Sequence, residues 1–530
     1  MSRRTLILLL LVIIAIGVAG RSFELTARSL WFDEAFSWRL IQFPLPEMVA
    51  RDAADVHPPL YYILLQWWST VFGSSLLALR AFSVALAGAT IAAMYLFVKE
   101  AAQSRPVGLL AAALLAVSGW QMQFAWEARM YTVGTALVLL SSWLLLKAVR
   151  QQPSRLSWWV LYGLAGAALA YVHYYAFFSI AAQVLFLLGY VLATTRWRIG
   201  ELLQWRTFWH AVVAGGVMAL AYLPWIPTFL KQNAQVQDAF WIPAIQGWSI
   251  PDTFYRFFAP TPGIPCHDTV PCVIVALVPI SLTLLGLVTL LLTVWWRRAE
   301  RSFNREAVTK SWTVWDANWL VFLSAVVPFG LSIVLSFVGQ SLYQDRFFVF
   351  AHLFIVAALA LLIGRLPGRV IRRGVAALVL AGFVLATMSF WRQLDIPNKP
   401  GAQAVSGHIY SRLADEPVPV VVSSPFVYFA ILHYAVEDYG VAADDTTLPR
   451  LYSETGEFLH FAGGPILTEA DFVGPEVFTG EADELWVVDT TGFGETHLPL
   501  PSSWLATDSV THPEVFMHQG DVTATKYVRK

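Results

Sequence analysis

The chain has 530 residues, of which 57% are hydrophobic and only 13% charged, with a formal net charge of -1. Soluble domains carry about a quarter charged residues, so this composition excludes an ordinary cytosolic enzyme and makes lipid the solvent for much of the chain. The near-neutral total hides a segregation of sign. Residues 392–530 hold 7 Lys/Arg against 20 Asp/Glu, so the region before them is net basic.

Crossing a bilayer core takes about 20 apolar helical residues. Apolar runs near residues 5–22, 76–98, 106–120, 131–149, 158–174, 176–194, 209–229, 273–295, 317–338, 347–363 and 374–391 predict eleven spans. Basic residues fall on alternate connections: Lys99 and Arg105; Lys147, Arg150 and Arg155; Arg196, Arg198 and Arg206; Arg297, Arg298, Arg301, Arg305 and Lys310; Arg365, Arg369, Arg372 and Arg373. With Arg3 and Arg4, these are 19 of the 35 basic residues. Positive loops stay cytoplasmic, which predicts a multi-pass protein of a bacterial inner membrane with the N-terminus inside and the C-terminal region outside. The first run also mimics a signal peptide, with Arg3-Arg4, an apolar stretch and Val18-Ala19-Gly20,. Either reading exports residue 23 onward.

The expected division is a membrane domain over 1–391, with outer loops 23–75 and 230–272, and a soluble domain over 392–530. The first outer loop interleaves Trp31, Phe32, Phe36 and Trp38 with charge, as in helices lying at the interface,. The second carries Pro243, Pro251, Pro260, Pro262, Pro265 and Pro271, which predicts an ordered loop or short helices,. Its cysteines, Cys266 and Cys272, are either free thiols or, facing an oxidising compartment, a small local disulfide, which is the expectation,. The last region reads as a small α/β domain. A helix over 402–414 precedes a strand at 418–424, a helix opened by Pro425, a strand at 484–490 and a closing strand at 523–528,.

Ionisable residues at a membrane face are costly and mark function. Four clusters fall on the outer side. Trp31-Phe32-Asp33-Glu34 sets two adjacent acids between aromatics; they start a surface helix as caps, or one of them is a general base,. Neighbouring positions on a helix point in different directions, so one acid of the pair reacts and the other is structural. Asp55-Val56-His57-Pro58-Pro59-Leu60-Tyr61 fixes His57 just before a helix start, as a structural turn, a substrate contact or, with Asp55, part of a divalent metal site,. Glu127-Ala128-Arg129-Met130-Tyr131 leaves Arg129 outside, against the positive-inside trend, which suits an anionic ligand with Glu127 orienting the guanidinium. Tyr343-Gln344-Asp345-Arg346 repeats that logic at a late span, since the arginine fork matches phosphate oxygens,. His173, between two tyrosine-flanked spans, is a weaker candidate for substrate contact. A carboxylate, two arginines and several aromatics on one face suit transfer from a phosphate-linked lipid.

In that order and spacing, Asp33-Glu34, His57-Pro58-Pro59-Leu60-Tyr61, Glu127-Ala128-Arg129-Met130-Tyr131 and Asp345-Arg346-Phe347-Phe348 resemble the GT-C glycosyltransferases. The resemblance is to the bacterial branch of the dolichyl-phosphate-mannose protein mannosyltransferases (family 39) and the related aminoarabinose transferases, over about residues 1–365. It implies an all-α polytopic membrane protein of about eleven transmembrane helices with a small C-terminal α/β extracytoplasmic domain. It also implies Asp33 as catalytic base with Glu34 beside it, and Arg129 and Arg346 as holders of lipid phosphate. The late motif of that family has Arg-Tyr and a following proline, where this chain has Phe347 and no proline within the span. The β-trefoil domain common among protein mannosyltransferases is absent from the sequence.

The expected reaction moves a sugar from a polyprenyl-phosphate donor to the hydroxyl of a glycan, lipid or protein acceptor, with inversion. The partners are then that donor, its acceptor and the bilayer; nucleic acid is not one, and a divalent metal is the sole cofactor in prospect. A flippase or transporter of lipid-linked sugars is the alternative. Transporters place charge near the bilayer midplane, whereas these spans are nearly free of ionisable residues.

Overall fold

The computed structural model describes residues 2–194, 199–238, 242–262, 278–292, 308–413, 418–480, 482–494 and 496–530. Cys266 and Cys272 lie outside the described residues, as do Arg196, Arg198 and the basic group over 297–305.

The chain begins with α1 (Arg3–Ser22), followed by three outer-loop helices, α2 (Phe32–Leu40), α3 (Leu45–Ala54) and α4 (Leu60–Phe72). The helical body continues through α5 (Leu76–Ala102), α6 (Arg105–Ala116), α7 (Gly119–Ala125), α8 (Tyr131–Arg150), α9 (Leu156–Ala170), α10 (Ala176–Thr194) and α11 (Ile199–Leu202). Then come α12 (Arg206–Tyr222), α13 (Ile226–Asp238), α14 (Ser249–Phe258), α15 (Val278–Leu292), α16 (Val308–Val338), α17 (Val349–Arg365) and α18 (Arg369–Leu394). Each of the eleven predicted runs carries a helix. Seven are long and apolar enough to cross a membrane, α6 and α7 pass the test together as a bent pair, and the other three runs carry shorter apolar helices. The chain is a multi-pass membrane protein.

Two runs differ from expectation. The third is broken at Val117-Ser118, and α7 turns 61° from α6. A broken helix in lipid must find other partners for its carbonyls. Arg21, buried at the end of α1, donates to Ala116 O at 2.8 Å, Leu115 O at 3.0 Å and Gly17 O at 2.9 Å. Thr387 of α18 donates to Val117 O at 2.8 Å. The Ser118 side chain caps α7. The sequence shows an unbroken apolar run here because the break is made by residues far away in the chain. The seventh run differs by continuing: α12 passes through a short 3-10 turn into α13, so helix replaces the start of the expected 230–272 loop. Pro224 and Pro227 fall at the starts of the following turns, where a missing N–H costs nothing.

The C-terminal region places α19 (Gly401–Leu413) and α20 (Pro425–Glu437) on a six-stranded sheet: β1 (Val420–Val422), β2 (Arg450–Tyr452), β3 (Phe472–Val473), β4 (Glu484–Thr490), β5 (Trp504–Pro513) and β6 (Asp521–Arg529). The order is β3-β2-β1-β4-β6-β5. The first four strands are parallel, and β6 and β5 are antiparallel. β1, α20, β4 and β6 match the expected elements.

The soluble domain does not stand apart. One apolar cluster holds Phe36 and Trp38 of α2, Tyr61 and Tyr62 of α4, and Val420, Phe429 and Trp486 of the sheet domain. Polar clasps fix its orientation. Ser29 Oγ donates to both oxygens of Glu514 at 2.6 and 2.8 Å, Leu30 N–H to the Tyr434 hydroxyl at 2.7 Å, and Arg39 pairs with Asp471 at 3.1 Å.

Replacing Arg21 by leucine strands carbonyls at the break, at about 1–3 kcal/mol per unpaired group. We expect Arg21→Leu to lower the melting temperature of the purified protein markedly, and Arg21→Lys to recover part of the loss. A leucine variant as stable as the parent would show that the guanidinium does not hold the bend.

Candidate active site

The site begins with two neighbouring acids that fold in opposite directions. Glu34 is fully buried. Its oxygens accept from Arg80 Nε at 2.9 Å and Nη2 at 2.7 Å, from Arg28 Nη2 at 3.3 Å, and from the Ala128 N–H at 2.9 Å. Burial alone would raise this carboxyl, but the charges of Arg80 and Arg28 and the bonds from Arg80 and Ala128 hold it below its ordinary value,. Arg80 spends its other donors on the carbonyls of Leu25, Arg28 and Ser29. Of the two acids, Glu34 is the enclosed one, as expected of the structural member of the pair. It is sealed from any reactant and anchors the start of α2.

Asp33, one residue earlier, faces the other way and is partly open, with 22% of its side chain exposed. Its Oδ2 accepts from Arg346 Nη1 at 3.3 Å and lies 3.8 Å from Arg129 Nε. Arg129 is buried and held in place by neutral partners. It donates to Asp33 O at 3.2 Å, the Tyr62 hydroxyl at 3.1 Å, Ser37 Oγ at 3.4 Å and His57 Nε2 at 3.2 Å. Arg346 lies over the Trp31 ring at 5.9 Å. The two arginines sit just before the N-terminal ends of α8 and α17, which approach closely because Gly134 leaves room for Phe350; a methyl there would strike the ring.

His57 serves this arrangement from behind. Its Nδ1 lies 2.8 Å from Asp55 Oδ2. A carboxylate only accepts and a guanidinium only donates, so the ring carries its proton on Nδ1 and offers Nε2 to Arg129. This occupies both members of the expected metal pair. Among the described residues, no group of three or more His, Cys, Asp or Glu gathers in a way that could hold a metal ion.

The remaining candidates divide. Glu127 is buried beside the cluster. Burial, helped by the charges of Glu34 and Asp33 and opposed by Arg28 and Arg346, pushes its carboxyl up to about 7. Tyr131 opens α8 and packs against the His173 ring at 6.2 Å. His173 is buried, accepts from the Tyr175 N–H at 3.1 Å and stacks near Phe347, so it supports the Arg346 turn. Tyr61 is fully buried against Tyr62 at 5.2 Å. Tyr343 sends its hydroxyl to Thr253 at 3.0 Å and braces α14 instead of facing Asp33. Tyr61, His173 and Tyr343 are thus packed against protein neighbours. Sequence reasoning missed Arg28, Arg80 and Ser37. Arg80 sits inside the second span, where a lone arginine was itself a signal. Asp52, fully buried without a hydrogen bond to its carboxyl, was also missed; burial and the charge of Asp55 raise it well above its ordinary value.

With this geometry in view, likenesses to known proteins acquire meaning. The family model described as dolichyl-phosphate-mannose-protein mannosyltransferase matches residues 56–226, which include His57, Arg129 and His173. ArnT from Cupriavidus metallidurans bound to undecaprenyl phosphate is similar at 14% identity and a TM-score of 0.56, covering 97% of both chains. The same protein in the apo state gives 13% identity and a TM-score of 0.44 over 97% of both chains. The Archaeoglobus fulgidus oligosaccharyltransferase in the apo form gives 12% and 0.48, over 92% of this chain and 70% of that one. No curated protein sequence matches the chain. The resemblance to GT-C glycosyltransferases therefore holds, and the architecture is an ArnT-like GT-C fold.

Two outcomes follow from the buried acids. Glu34→Gln leaves two guanidiniums short of their counter-charge, and breaking such a buried pair costs about 3–5 kcal/mol; it should impair folding and yield, whereas Asp33→Asn should not. Equal melting temperatures for the two variants would refute this division of labour. Glu127 gives a pH effect. Its folded value, about 7, lies above the ordinary 4.5, so the folded state holds the proton more tightly. The burial penalty is absent below pH 4.5 and grows as pH rises toward about 7,. Melting of Glu127→Gln against the parent should show a gap that widens in the variant's favour over that window.

Proposed function

We propose that this chain is a membrane glycosyltransferase that moves a hexosyl or pentosyl unit from a polyprenyl-phosphate donor to an acceptor hydroxyl. The work is done at the extracytoplasmic face of a bacterial inner membrane, with the N-terminus inside. One observation carries the reading: the Asp33 carboxylate is held between two arginines, 3.3 Å from Arg346 and 3.8 Å from Arg129, at the outer ends of membrane helices.

The donor's phosphate competes with Asp33 for these cations. As it settles on Arg129 and Arg346, the carboxylate is released from its ion pairs and is free to turn to the acceptor hydroxyl. Asp33 takes the acceptor hydroxyl proton while that oxygen bonds to the anomeric carbon. The bond from that carbon to the phosphate oxygen breaks, and its electron pair leaves with the lipid phosphate toward the arginines. Attack opposite the leaving group inverts the anomeric centre. The Asp55–His57 pair keeps Arg129 aimed without adding charge beside it. A groove of about 360 Å³ lined by Ile242, Ile245, Phe337, Gly339, Gln340 and Ser341 opens beside the exposed end of α16, a suitable lateral path for the isoprenoid chain.

The transporter alternative would place its charges at mid-span. Here the charges within α1 and α5 are used up by structure: Arg21 on carbonyls and Arg80 on Glu34.

Purified protein supplied with labelled undecaprenyl-phosphate sugars should release undecaprenyl phosphate. General-base catalysis is worth about 10²–10⁴-fold, so Asp33→Asn should lose at least that much turnover while still binding undecaprenyl phosphate. Arg129→Lys keeps the charge but loses the fork and should weaken that binding. Brisk transfer by folded Asp33→Asn protein would remove the carboxylate from the role.

A further inference from the structure

The soluble domain turns a particular edge toward Asp33. Its strands β1 and β4 are adjacent and parallel, and the chain leaves β1 toward β2 on one side while β4 lies on the other. In open α/β sheets, ligands bind outside the carboxyl ends of strands at such a switch point. Three segments meet at this edge: Ser423 and α20 after β1, residues 491–494 after β4, and residues 517–520 before β6. They are tied together by Thr491 N–H to Asp521 O at 3.0 Å and Phe493 N–H to His518 O at 2.9 Å.

Two chains of contact run from this edge to the reacting carboxylate. The Phe493 ring meets Phe426 edge-on at 5.0 Å, and Phe426 packs on Phe32 at 4.9 Å, the neighbour of Asp33. The His518 ring meets Trp31 at 6.1 Å, and Trp31 carries the Arg346 guanidinium, which bonds Asp33. Both outer residues remain open: Phe493 is 55% exposed and His518 is exposed. The arginines that would hold donor phosphate come from α8 and α17, so the edge of the soluble domain is left for the second substrate.

We propose that Phe493 and His518 form the acceptor subsite and that the acceptor presents a pyranose there. An open aromatic face suits the C–H face of a sugar ring, and an imidazole beside it can give or take a hydrogen bond with ring hydroxyls. This rests on the glycosyltransferase reading and deepens it by assigning the acceptor class. Phe493 and His518 are specificity-determining, not catalytic, residues.

The test uses the full chain in lipid nanodiscs. Saturation-transfer NMR is recorded with the methyl glycosides of glucose, galactose, mannose and glucosamine, and undecaprenyl phosphate binding is measured in parallel. At least one glycoside should give a signal with the parent. That signal should fall at least tenfold in His518→Ala and in Phe493→Ala, with undecaprenyl phosphate affinity within twofold of the parent. His518→Gln, which keeps a hydrogen-bonding group, should recover part of it. A parent that binds no glycoside, or variants that bind it equally well, would overturn the subsite. Loss of undecaprenyl phosphate affinity in the same proportion would assign these residues to the donor and also overturn it. Failure of the parent itself to bind undecaprenyl phosphate would instead count against the glycosyltransferase reading.

Discussion

The buried contact between Glu34 and Arg80 is the constraint on which the rest of the site depends. Two charges with no exposure are tolerated only when geometry and extra hydrogen bonds satisfy them fully,. Here the arginine grips three carbonyls of the chain leading into α2, and the carboxylate grips the Ala128 N–H. One ion pair thus fixes the outer loop, the head of α5 and the loop carrying Arg129 relative to one another. Because successive residues of a helix point about 100° apart, securing Glu34 inside also decides where Asp33 must face.

The same economy explains why the C-terminal sheet domain is built into the surface formed by residues 23–75 of the helical domain. Residues 23–75 present aromatic side chains that neither water nor lipid headgroups would cover well. The sheet domain buries them in a shared apolar core and answers their polar groups with Glu514, Tyr434 and Asp471. The acidic bias of the C-terminal region is therefore partly structural. Glu514 is almost fully buried against Ser29 and the Ala402 N–H, and burial raises its carboxyl above the ordinary range despite these bonds.

Legibility in the sequence followed the range of the interactions. Among the described residues each of the eleven apolar runs carries a helix, seven of them long and apolar enough to cross a membrane alone, because crossing lipid is a local requirement that a run of residues must meet by itself,. β4 and α20 were visible for the same reason, one a β-branched run and the other opened by Pro425. What escaped was set by distant partners. The break after Ala116 depends on Arg21 and Thr387, 95 and 270 residues from the carbonyls of Ala116 and Val117 that they cap. The short strands β2 and β3 exist by pairing alone. Within the site, Asp33, Arg129 and Arg346 stood out as charges at an interface, but nothing local tells which of Asp33 and Glu34 turns inward. Arg80 decides it, from 46 residues away.

On the proposed reading Asp33 is the base, and between donors it is held by two cations, a pairing that an idle site at a membrane surface needs. An unpaired carboxylate and two unpaired guanidiniums, each half out of water, would be costly to hold apart. Pairing them stabilises the site while it is empty. On the proposed reading the donor is a phosphodiester with one negative charge, like the carboxylate, but its two non-bridging oxygens can each take an arginine donor, and the lipid phosphate gains a second charge against these cations as the anomeric bond breaks. Donor binding and activation of the base would then be a single event. Water that wanders in without a donor would meet a carboxylate already occupied. On that reading phosphate occupancy gates Asp33, so that the carboxylate leaves its ion pairs only when a donor is in place.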